Sequence, residues 1–134
     1  MIIDASVAFK LIVDEAGSEE AIKWIGQADL VGPTLIHCEV GNALWKRVRK
    51  GELAEDAEIA DRLADLDHLI RTIDETPLVS RALRLAIELA HPVYDCIYLA
   101  LAEAADDGLL TADGRFIRAL NGTSYAERVR ELGK

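Results

Sequence analysis

Met1-Ile2-Ile3-Asp4-Ala5-Ser6 is the stretch whose reading decides the fold. Three apolar residues, two of them β-branched, run into a carboxylate and then a hydroxyl. Such a short apolar run predicts a buried strand. In open α/β sheets, ligands sit outside the carboxyl ends of the strands. An aspartate placed there, Asp4, is the first candidate arm of an acidic metal site, and further arms are expected downstream.

Working outward, residues 7–13 are apolar enough to keep packing against the sheet, and Asp14-Glu15-Ala16-Gly17 interrupts them. Ser18 predicts an N-cap for a helix whose apolar face is Ala21, Ile22, Ile25 and Ala28. Leu30-Val31, ended by Gly32-Pro33, predicts a second strand. A helix capped by Thr34 should run to about Lys50 and stop at Gly51, with Glu39, Asn42 and Lys46 sharing one face. Ile59, Leu63 and Leu66 form one stripe of an exposed amphipathic helix, and residues 69–73 predict a third strand. Thr76-Pro77 predicts a helix start; His91-Pro92 ends that helix and opens another that is apolar nearly all round. Residues 109–113 read as a strand ending in a carboxylate, and 116–120 as a short helix. The alternation predicts an α/β fold, a mostly parallel central sheet flanked by helices, in one domain spanning residues 1–134.

The composition fits that picture. Apolar residues make up 51% and aromatics 5%, so the core is aliphatic. No apolar run approaches the length of a membrane span and no leader pattern opens the chain, so a cytoplasmic protein is expected. Cys38 and Cys96 lack a CxxC spacing, and each is expected to be a small buried hydrophobe. The net charge of −9 argues at first against a nucleic-acid partner. Its distribution weakens that objection: between Glu52 and Glu75 nine acids face two arginines, a net of −7, so the rest of the chain carries only −2. Lys46, Arg47, Arg49 and Lys50 put four cations in five residues, a place for a phosphate-bearing partner or equally a solvated helix end.

Four carboxylates occupy costly positions. Asp4 and Asp113 each end an apolar strand, Glu39 lies early in a helix, and Asp95 is in the first turn of the most apolar helix. Taken singly, Asp4 or Asp113 is an ordinary helix cap, Glu39 a surface residue and Asp95 a first-turn acid. Taken together, four converging acids repel one another unless a cation sits among them. Oxygen donors without His or Cys point to Mg²⁺ or Mn²⁺ rather than zinc, and that chemistry suits phosphodiester hydrolysis by activated water. Ser6 and Thr111, each two residues from a strand-end aspartate, could hold a water or orient a carboxylate.

The motifs Ile2-Ile3-Asp4-Ala5-Ser6, Glu39-Val40-Gly41-Asn42-Ala43-Leu44, Tyr94-Asp95 and Leu110-Thr111-Ala112-Asp113, in that order, resemble those of PIN-domain nucleases. The pattern is most similar to the small single-domain toxins of the VapBC type. The resemblance implies a metal-dependent endoribonuclease whose acids are Asp4, Glu39, Asp95 and Asp113, with Ser6, Thr111 and Asn42 assisting. It also implies a homodimer and a cognate antitoxin whose tail blocks the site. Lys46, Arg47 and Arg49 are the candidates for steering the RNA backbone. One departure stands out: such domains usually finish with a further short strand, whereas Ala126, Val129 and Leu132 within 123–132 have helical spacing.

Other signals are weaker. His37-Cys38-Glu39 matches half of the zinc-deaminase signature, but the PCxxC half is absent. His37, His68 and His91 form no ligand spacing and read as surface or capping residues. No Gly-rich phosphate loop follows any strand. Two alternatives stay open: a non-catalytic binding module on the same fold, and a phosphatase or deoxyribonuclease using the same acids.

Overall fold

Ile2 and Ile3 are almost wholly buried, and as β1 (Ile2–Ile3) they lie in the middle of the sheet of the computed structural model, which describes residues 1–56 and 58–134. In chain order there follow α1 (Ala5–Ile12), α2 (Ser18–Ile22), β2 (Val31–Pro33), α3 (Leu35–Arg49), α4 (Glu58–Ala64), α5 (Leu66–Leu69) and β3 (Arg71–Ile73). Then come α6 (Val79–Leu89), α7 (Val93–Ala104), β4 (Leu109–Thr111), α8 (Gly114–Leu120) and β5 (Val129–Glu131). Short 3-10 turns, Thr76–Leu78 and Ser124–Arg128, lead into α6 and β5. Strand order is β3-β2-β1-β4-β5, and each of these pairings is parallel. The expected α/β architecture is present.

The order of the strands creates a site. From β1 the chain builds outward to β2 and β3, then crosses back to add β4 and β5 on the other side. The direction reverses between β1 and β4, and connections leaving the carboxyl ends of two such strands diverge and open a crevice. Ile2 pairs with Leu109 and Ile3 with Leu110, which brings Asp4 beside the end of β4. Behind the sheet lies α7, buried from Cys96 to Ala102, as its apolar circumference predicts.

Several expectations need correction. Residues 7–13 do pack into the core as expected, mainly as α1, which Asp4 caps by accepting from Val7 N; the departures lie elsewhere. The helix expected to reach Ala28 stops at Ile22, and the chain turns through Gly26 at φ +81°, leaving Ile22 and Ile25 exposed. Ser18 is buried and does not cap: its hydroxyl donates to Val13 O and accepts from Glu15 N. Thr34 makes no capping bond and donates instead to Glu75. Cys96 is buried, but Cys38 lies on the solvent side of α3.

The largest correction concerns residues 123–132, which end in a strand, not a helix. Thr123 caps the turn Ser124–Arg128, and Val129–Glu131 then pairs with Leu109–Thr111. The reason is the open flank of β4: that strand is wholly buried, and its backbone groups on that side need partners. Three apolar residues at a spacing of three could not outweigh it. Among the described residues no single helix is long and apolar enough to cross a membrane.

Candidate acidic metal centre

Asp4 is held on all sides. Its Oδ1 accepts from Ser6 Oγ at 2.5 Å and from Val7 N at 3.2 Å, and its Oδ2 accepts from Thr111 Oγ1. Ser6 Oγ also accepts from Ala112 N at 2.8 Å, and Thr111 Oγ1 from Asp113 N at 3.0 Å. The two hydroxyls therefore stitch the β1–α1 turn to the β4–α8 turn through one carboxylate. Asp113 caps α8 through Arg115 N. The capping role open to each aspartate taken alone is thus real, and it fixes both side chains at the crevice.

The other two acids come from helices. Glu39, on α3, accepts from Tyr98 Oη at 2.7 Å. Asp95, in the first turn of α7, has its Oδ2 2.6 Å from His91 Nε2. That imidazole is only 12% exposed and its ring lies 5.0 Å from that of Phe116. His91 is therefore a partner of the acidic centre rather than a surface or capping histidine.

The electrostatics bind the set together. Burial pushes Asp4, 8% exposed, up to about 6 against the pull of its three hydrogen bonds, and the charge of Asp95 adds to the rise. Burial likewise pushes Glu39 up to about 6 despite the Tyr98 bond, with Asp95 and Asp4 contributing. Asp95 is raised by burial, opposed by His91, and raised further by Asp113. Asp95 is thus within electrostatic reach of each of the other three predicted acids.

Whether a divalent cation fits can be judged from the donors. They are carboxylate oxygens whose charged forms are disfavoured by burial and by one another, a burden that a cation would relieve. Among the described residues no three His, Cys, Asp or Glu side chains stand close enough together to hold a metal ion by themselves. An ion that keeps part of its water shell suits such an open set, as Mg²⁺ does. In donor chemistry the residues fit the ion.

Beside the acids opens a cleft of about 400 Å³ whose lining includes Ser6, Lys10, Glu39, Asn42, Lys46 and Arg47. The face predicted for Glu39, Asn42 and Lys46 is therefore real. Arg47 is partly committed, paired with Glu15 and lying 5.0 Å over the Phe9 ring. Arg49 does not line the cleft; its guanidinium lies 5.4 Å from the centre of the Trp45 ring. Sequence reasoning passed over His91, Tyr98 and the exposed Arg115, whose charge pulls Asp95 down. Only Tyr98 left a signal, a hydroxyl three residues after Asp95 in an otherwise apolar helix.

A parallel sheet with four carboxylates around its switch point defines an α/β domain with an acidic centre. The model of the PIN domain family matches residues 1–120, and the chain belongs to that family. It is 34% identical over 116 residues to ribonuclease VapC3 of Pyrobaculum aerophilum, covering 84% of this chain and 88% of that protein. It is 31% identical over 122 residues to ribonuclease VapC1 of Mycobacterium tuberculosis, covering 88% and 89%. Exonuclease VapC9 of P. aerophilum is 27% identical over 129 residues, covering 94% and 90%. The crystal structure of PAE2754 from P. aerophilum superposes with a TM-score of 0.74 at 26% identity, covering 98% of this chain and 87% of that one.

Proposed function

We propose that this chain is a Mg²⁺- or Mn²⁺-dependent endoribonuclease, the toxin of a toxin–antitoxin pair acting on RNA in the cytoplasm, with residues 1–134 as one nuclease domain. One observation carries the reading: three buried or half-buried acids, each raised above its ordinary value, act on one another electrostatically, and one of them, Glu39, lines a cleft with Lys46 and Arg47. The similarity to ribonucleases VapC3 and VapC1 supports the substrate class.

Asp4, Glu39, Asp95 and Asp113 would hold the cation, which when bound supplies charge neutralisation and an activated water. Ser6 and Thr111 fix the Asp4 carboxylate by donating to opposite oxygens, so it reaches the reaction already oriented. Asn42 offers an amide to the bound RNA from the cleft wall. Lys46, without an ion-pair partner among the described residues, and Arg47 draw the phosphates in.

An antitoxin and a second copy of the chain are the proposed protein partners. The open apolar groove of Leu44, Trp45, Val48, Ile59 and Leu63 between α3 and α4 supports a place for the first. Exposed Val79, Leu83 and Ile87 on α6 and exposed Tyr94 on α7 support one for the second.

Purified protein incubated with a circular RNA and Mg²⁺ tests the reading. Cleavage is expected in the wild type, with loss in EDTA and in Asp4→Ala and Asp95→Ala variants that keep their circular dichroism. Unchanged cleavage in both variants would remove the acids from the mechanism. Digestion of linear but not circular RNA would replace endonuclease by exonuclease, the second reading that the similarity to VapC9 favours.

A further inference from the structure

We propose that Tyr98 is a positioning residue that tethers Glu39 to α7 and so fixes its separation from Asp95. The proposal rests on the metal-site reading above and adds a residue outside the four acids.

Tyr98 is 1% exposed, within the stretch of α7 that is buried on all sides. Phenylalanine would fill that space without placing a hydroxyl in the core, where a polar group needs a partner. The hydroxyl meets Glu39 Oε1 at 2.7 Å, its one hydrogen bond among the described residues. A buried hydrogen bond of this kind adds little to stability, since replacing both partners by apolar groups of the same shape can be nearly neutral. Its geometry is informative instead. Asp95 and Tyr98 stand three residues apart on α7, so they share a face of the helix. Glu39 comes from α3, and its charge and that of Asp95 repel. Left free, Glu39 would swing toward the open cleft, away from Asp95. The phenol holds one carboxylate oxygen and leaves Oε2 without a hydrogen bond among the described residues, available to a ligand. Partners of ligating groups act in this way at metal centres, and losing one commonly weakens metal binding by 10- to 100-fold.

The test is a double-mutant cycle on Mn²⁺ binding, measured by titration calorimetry with full-length Tyr98→Phe, Glu39→Ala, the double variant and the wild type. Tyr98→Phe keeps the ring, and circular dichroism and the thermal midpoint check its fold. The expected result is affinity lowered about tenfold or more by Tyr98→Phe in the wild-type background, and no further loss when the same change is made in Glu39→Ala. Wild-type affinity in Tyr98→Phe would overturn the proposal. So would an equal loss in both backgrounds, because Tyr98 would then act on the site other than through Glu39. Failure of the wild type itself to bind Mn²⁺ would instead overturn the metal reading, and this tether with it.

Discussion

Asp4 carries a conflict between stability and charge. Its folded carboxyl sits at about 6 against an ordinary 3.8, mainly because it is buried. The folded protein therefore holds that proton more tightly than the unfolded chain does. Stability from this group is complete below pH 4 and is lost as pH rises through 6. Metal-free protein should accordingly weaken between pH 4 and pH 7, by about 2–3 kcal/mol from Asp4 alone, with half-buried Glu39 acting in the same direction. Asp4→Asn keeps an acceptor for Ser6 and Val7 and turns an amide donor toward Thr111 Oγ1. It should raise the urea midpoint of metal-free protein at pH 7 and flatten its pH dependence while abolishing cleavage. A variant less stable than wild type at pH 7 would show that the charge of Asp4 is not the liability inferred from its burial.

Among the elements, β5 shows what a single sequence conceals. Strand-end acids were legible because Ile2-Ile3 and Leu109-Leu110 are short apolar runs that lead into them, a pattern consistent with buried strands. The three residues of β5 are too few to display an alternation, and Ala126, Val129 and Leu132 imitate a helix face. What fixes them is the unpaired flank of β4, a tertiary cause that no local pattern records. The same holds for His91. Pro92 separates it from α7, so its spacing of four from Asp95 does not announce a shared helical face. The strand also supports the site, because Leu132 N donates to Thr111 O at 2.8 Å and Thr111 in turn holds Asp4. Leu132→Pro removes that donor and should cost about 1 kcal/mol or more. Thermal unfolding will register the loss, and faster amide exchange in β4 should locate it. Unaltered protection of Thr111 would mean that β5 merely covers the sheet.

At the scale of the whole molecule, charge is segregated. The acidic stretch from Glu52 to Glu75 is largely exposed, and α4 within it has no fully buried side chain. Arg47 in the cleft touches this stretch, pairing with Glu52 at 3.3 Å, but Lys46 has no ion pair with it among the described residues, so a net charge of −9 does not forbid a polyanion there. RNA binding should weaken steeply with salt, and Lys46→Ala should reduce the slope of log K against log salt by about 0.7, the value for one phosphate on a single strand. Binding isotherms at several salt concentrations check this, and an unchanged slope would take Lys46 off the RNA path. The switch point carries a consequence in time as well as space. Thr111 reaches Asp4 across 107 residues. During synthesis, β1 leaves the ribosome early and must wait for β4 before Asp4 has its full set of partners. On the proposed function, a growing chain would lack its assembled acidic centre, and so spare the messages being translated around it, until Thr111 has emerged.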